Sequence, residues 1–172
     1  MKIASKKSDY IKSEVFTLAW NGAVQHNGIY LAGTPDDIRQ KIEKHAKKFL
    51  VDLVESKYKK KLNEEDHIRN IETVANNITR NYSCYLQNKK FRIGTAQKLL
   101  NLLLKYYWCL GYIEMPPHCP IDRIVLDRAR IHDVSWTKIA TIAEYNAVIA
   151  RVKEFAKGEP LSEWELSFWK RR

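Results

Sequence analysis

The sequence predicts an all-α fold, a single helical domain over residues 1–172 with about six to eight helices. Glycine and proline are scarce, 6 and 5 among 172 residues, which disfavours a loop-rich β-sandwich. Apolar residues recur at helical spacing through most of the chain. Capping residues stand ahead of several of these stretches, and no convincing hairpin or internal repeat interrupts them.

A first helix is expected over 9–25, with Tyr10, Ile11, Val15, Leu18 and Ala19 at helical spacing before the Asn27-Gly28 and Gly33 breakers. Thr34-Pro35-Asp36-Asp37 reads as the next start, with Thr34 as N-cap, proline at the first position and acids in the first turn. That helix carries Ile38, Ile42, Ala46, Phe49, Leu50 and Leu53 to about Ser56. Asn63 with Glu64, Glu65 and Asp66 opens a third helix, expected to end near Leu86. A basic link, Gln87 to Arg92, leads to the most apolar stretch, 96–110. Further helices are expected over 120–130 and 140–156, closed by Gly158 and Pro160, before an amphipathic tail with Trp164, Phe168 and Trp169.

Thirty Lys and Arg against 20 Asp and Glu give a formal charge of +10, which points to a polyanionic partner, nucleic acid above all. Two basic runs, Lys57 with Lys59, Lys60 and Lys61, and Lys89, Lys90 and Arg92, are candidate phosphate contacts, although cations also suit the end of a helix. No apolar run reaches the roughly 18 residues of a membrane span, and no apolar segment follows the basic N-terminus as in a secretory signal. Cys84, Cys109 and Cys119, an odd set without ligand spacing, fit free thiols in a reducing cytoplasm and suggest neither a metal nor an iron–sulfur site. A monomer with no metal or organic cofactor is expected.

The stretch from Ala96 to Trp108 is apolar nearly all round, as in a helix buried mid-domain. At about 100° per residue its exceptions, Gln97, Asn101 and Lys105, share one stripe with Lys98 at the edge. Such a stripe is expected to face a shared cleft, a partner or water, because buried lysines otherwise lose hydration without compensation. A lysine there can act as an amine nucleophile, or else snorkel or hold phosphate. Downstream, the prolines of Pro116-Pro117-His118-Cys119-Pro120 forbid helix, and Asp122 falls at the cap of the next one. A carboxylate fixed there can orient an attacking group or stabilise a developing cation, or serve only as a cap. Trp136, beside Lys138, is the leading aromatic for stacking a base, followed by Tyr106 and Trp108; core packing is the commoner role for each, because large aromatics dominate core energetics.

Gly94-Thr95-Ala96-Gln97-Lys98, followed after one helix by Pro120-Ile121-Asp122-Arg123, resembles the core of the helix-hairpin-helix DNA glycosylases. The resemblance covers about residues 92–126. Gly94 matches the first hairpin glycine, which contacts the nucleic-acid backbone, while Ala96 stands where the second is expected. Lys98 matches the nucleophilic lysine of the bifunctional members, and Pro120 and Asp122 match the loop with the catalytic aspartate. The resemblance implies an all-helical DNA-binding enzyme in which Lys98 and Asp122 are catalytic. Gln97, Asn101, Lys105, Tyr106, Trp136 and Lys138 are the residues expected around the substrate. Gln97, Lys98, Asn101, Lys105, Tyr106, Asp122 and Ser135-Trp136-Thr137-Lys138 also resemble a pattern in a group of uncharacterised bacterial proteins, which implies no function. A non-catalytic helical nucleic-acid-binding, defence or regulatory module is the alternative.

Overall fold

The computed structural model describes residues 2–25 and 27–170, with side chains from Lys6 onward. Among them are seven α-helices: α1 Lys2–Val24, α2 Asp36–Lys57, α3 Glu64–Tyr82, α4 Ile93–Cys109, α5 Arg123–Arg128, α6 Ile142–Ala156 and α7 Leu161–Phe168. Single 3-10 turns cover Ser83–Tyr85, Gln87–Lys89 and Trp136–Lys138. The extended structure among these residues is one antiparallel bridge, Tyr30 with Leu86. All seven helices contribute to one core, and none is long and apolar enough to cross a membrane.

The centre is α4. It packs on α1, α3, α6 and the 136–138 turn. Leu99, Leu100, Leu103 and Leu104 are fully buried. Each such side chain contributes about 2 kcal/mol on removal from water. With protein on every side, the helix can be apolar nearly all round.

Several boundaries differ from the sequence expectation. The first helix begins at Lys2 rather than 9. Pro35, not Thr34, is the N-cap of α2; the Thr34 hydroxyl instead donates to the Leu31 carbonyl at 2.8 Å. Helix α3 ends at Tyr82, and two 3-10 turns occupy the segment up to Lys89. Asn88 and Lys89 take left-handed φ of 53° and 57° there, which a periodicity argument does not register. The central helix starts at Ile93, so Gly94 to Gln97 form its first turns. The expected cap at Asn63 is present and accepts from the Asp66 N–H at 2.8 Å.

Candidate functional site

Asp122 links the Pro-rich segment to α5. Its Oδ1 accepts from the backbone N–H groups of Ile124 and Val125 at 2.9 and 3.2 Å. These bonds fix the carboxylate as N-cap of a six-residue helix and leave Oδ2 free to face α4. There Lys98 Nζ lies 3.3 Å from Oδ2, with the side chains 12% and 21% exposed. The same ammonium stands over the Trp136 indole, 4.3 Å from its centroid. The amine therefore has a carboxylate beside it and an aromatic face against it, with limited access to water.

Gly94 brings the Trp136 segment this close. A Cβ added at Gly94 would lie 1.9 Å from the Trp136 carbonyl oxygen. The Gly94 N–H donates to the Ile139 carbonyl at 2.9 Å. The position matched to the hairpin glycine is thus buried, and its N–H is engaged within the protein. What requires glycine here is the close approach of another backbone.

The polar stripe of α4 meets protein rather than a shared open cleft. The Gln97 amide brackets Ile121: Nε2 donates to the Ile121 carbonyl at 2.7 Å, and Oε1 accepts from the Ile121 N–H at 3.1 Å. Asn101 donates to the Cys119 carbonyl at 3.2 Å. Both side chains are fully buried and hold the non-helical 119–122 backbone against α4. Proline-rich chain cannot satisfy its own carbonyls, and these amides supply the donors. One turn beyond, Lys105 Nζ is 2.8 and 2.6 Å from the two oxygens of Glu165 on α7. It also lies over the Trp169 ring at 4.7 Å. Burial raises the Glu165 pKa, with the nearby Asp122 charge adding to that; Lys105 opposes both.

Lys98 and Lys105, seven residues apart on one face, are therefore each held by a carboxylate and a tryptophan. Helical periodicity located the lysines and the capping position located Asp122, but neither pointed to Glu165, whose charge on α7 gives no sign of the helix it will meet. Tyr106 is half-buried and packs on the core. Lys138 is exposed on the 136–138 turn. Among the candidate phosphate contacts, Lys57, Lys59, Lys60, Lys61, Lys89 and Lys90 are exposed. Arg92 is half-buried and donates to the Asn27 carbonyl at 2.9 Å.

Behind the stripe runs a buried polar chain. His118 Nε2 faces a Glu64 oxygen at 3.0 Å, and its Nδ1 faces the Tyr145 hydroxyl at 2.8 Å. A carboxylate only accepts, so the proton belongs on Nε2 and Tyr145 donates to Nδ1. Lys153 holds the other Glu64 oxygen. His67 faces His118 edge to face, with ring centroids 4.8 Å apart, and the Tyr58 hydroxyl meets its Nδ1 at 2.9 Å. Burial lowers the His118 pKa to about 4 and holds His67 well below its ordinary value. Among the described residues no group of three His, Cys, Asp or Glu is placed to hold a metal ion. Burial pushes the Cys119 thiol far up, the opposite of an activated nucleophile.

Comparison of the chain with protein-family models, with curated proteins and with solved structures returns no match.

Proposed function

We propose that the chain is a DNA-binding base-excision enzyme whose reactive pair is Lys98 and Asp122. The observation that supports this reading is the 3.3 Å approach of the Lys98 amine to a carboxylate fixed by two backbone N–H groups. In this scheme Asp122 accepts a proton from the Lys98 ammonium. The freed amine forms a C–N bond at the sugar C1′ while the glycosidic C–N bond breaks. The base leaves with the bonding electrons and takes the proton that Asp122 accepted. Giving up that proton restores the Asp122 carboxylate, whose charge then faces the positive charge at C1′ and the attached nitrogen. A base leaving the duplex would stack at the Trp136–Lys138 turn. The setting is a monomer in a reducing cytoplasm, acting without metal or organic cofactor.

One observation favours a second reading. The Trp136 ring already lies on the Lys98 ammonium, and the Gln97 and Asn101 amides are bonded to the 119–121 backbone. A purely structural pair in a nucleic-acid-binding module has the same contacts. An incision assay on duplexes carrying a panel of damaged or modified bases separates the two. Base excision predicts incision of at least one duplex, lost in Lys98→Gln and reduced by orders of magnitude in Asp122→Asn, with DNA affinity largely kept. An intact panel, with binding retained, supports the module instead.

A further inference from the structure

Two adjoining hollows run along α6. One is bordered by Ser135, Lys138, Glu144 and Arg151; the other by Arg130, Arg151, Glu154 and Lys157. Arg151 lines both, so the two adjoin as a groove along α6 with that side chain between them. One end of the groove is Lys138, on the turn whose Trp136 ring covers Lys98. Its floor is apolar, with Ile139 and Val148 at that end and Ile131 and Phe155 at the other.

Cations outnumber acids along the groove by one. Asp133 is neutralised by Arg151, which grips it through two bonds of 2.9 and 2.7 Å. Glu144 keeps its charge, one oxygen accepting from the backbone N–H groups of Ala140 and Thr141 at the start of α6. Arg130, Lys138 and Lys157 are exposed cations with no carboxylate partner among the described residues; with Arg151 they set four cations against the three acids Asp133, Glu144 and Glu154.

Two of those cations occupy unusual backbone. Arg130 just past α5 has φ 56°, and Lys157 just past α6 has φ 52°. These are the helix-ending positions that glycine normally fills, because a Cβ is strained there. The helix dipole favours cations near such ends. It does not require them at the left-handed residue itself, nor two of them on the rim of one hollow.

We infer that this groove is a phosphodiester track, in which Arg130 and Lys157 at one end and Lys138 at the other hold phosphates of a nucleic-acid strand that runs toward the Trp136–Lys98 site. Sugars and bases lie over the apolar floor. The track rests on the nucleic-acid part of the proposed function and not on its chemistry. It adds a binding surface distinct from the two basic runs at Lys57–Lys61 and Lys89–Arg92.

The left-handed backbone supplies the test. Arg130→Gly with Lys157→Gly removes both charges while relieving strain, so the double variant folds at least as stably as the parent, as urea unfolding will show. Binding of labelled single-stranded and duplex oligonucleotides is then followed by anisotropy across a salt series. The expected result is about tenfold weaker binding at low salt. The slope of log affinity against log salt should fall by about 1.4 to 1.8, the release expected for two phosphate contacts. The control, Lys44→Gln with Lys48→Gln on exposed positions of α2, should keep the parental slope. A parental slope in the glycine variant, or an equal loss in the control, overturns the track. So does the absence of oligonucleotide binding by the parent. Salt-dependent binding lost in the glycine variant, with no incision of any duplex by the parent, leaves the track standing and removes only the base-excision reading.

Discussion

Gly94 is the residue on which the site geometry depends most sharply. A methyl group there would meet a backbone oxygen at 1.9 Å, and backbone cannot rotate away as a side chain does. Gly94→Ala should cost about 2 kcal/mol or more, read as a fall in the urea midpoint without a change in m-value. It should also displace Trp136, visible in tryptophan emission. Gly22→Ala is the natural comparison: its closest contact is Leu102 Cδ1 at 2.9 Å, a side-chain end that can move, so its cost should be far smaller. The buried Lys105–Glu165 pair gives a second residue-scale expectation. Glu165→Gln strands an ammonium and should cost about 3 kcal/mol, whereas Lys105→Met with Glu165→Leu should recover most of it. Sequence reading brought Lys98, Asp122 and the polar stripe to attention because helical periodicity and helix capping are local properties. It assigned Gly94 to phosphate binding, since close packing against a turn about forty residues later leaves no local trace.

At the scale of elements, helix type was legible wherever apolar period and cap agreed. Asn63 and the acids after it mark α3 correctly. Helix α6 carries a capping box in which Thr141 accepts from Glu144 N–H at 3.2 Å. Thr141→Ala should cost about 1 kcal/mol in urea unfolding. Boundaries were less legible where tertiary contacts set them. Helix α4 begins before the apolar run because Arg92 to Gly94 dock on Ile139 and Asn27, not because their propensities demand it. Likewise the Pro-rich segment reads as a loop. That Gln97 and Asn101 supply its missing donors emerges only when α4 lies beside it.

The whole molecule is tied together by the polar chain Glu64–His118–Tyr145–Asn101, which joins α3, the Pro-rich segment, α6 and α4. Both buried histidines are held neutral, so the unfolded chain binds more protons than the folded one in mild acid. A depressed folded pKa gives stability that is present above the unfolded value, about 6.5, and is lost as pH falls toward the folded value. For His118, with its pKa lowered to about 4, the loss falls between roughly pH 6.5 and 4 and amounts to about 3 kcal/mol. Urea midpoints should therefore drop across that window. His118→Gln, which carries no titrating proton, should show a flatter profile even if it is less stable throughout. The histidines were visible in the sequence only as isolated residues, because their shared burial is a product of four separate elements.

The most direct measurement of the Lys98–Asp122 chemistry is borohydride trapping during incubation with substrate duplex, followed by peptide mapping of any adduct. An amine that displaces the base passes through an imine with C1′, which borohydride reduces to a stable link. The expected result is a covalent protein–DNA adduct mapped to Lys98, absent in Lys98→Gln and strongly diminished in Asp122→Asn while both variants stay folded. A full panel of modified bases that yields no adduct, or an adduct that persists in Lys98→Gln, would contradict the assignment of Lys98 as the nucleophile.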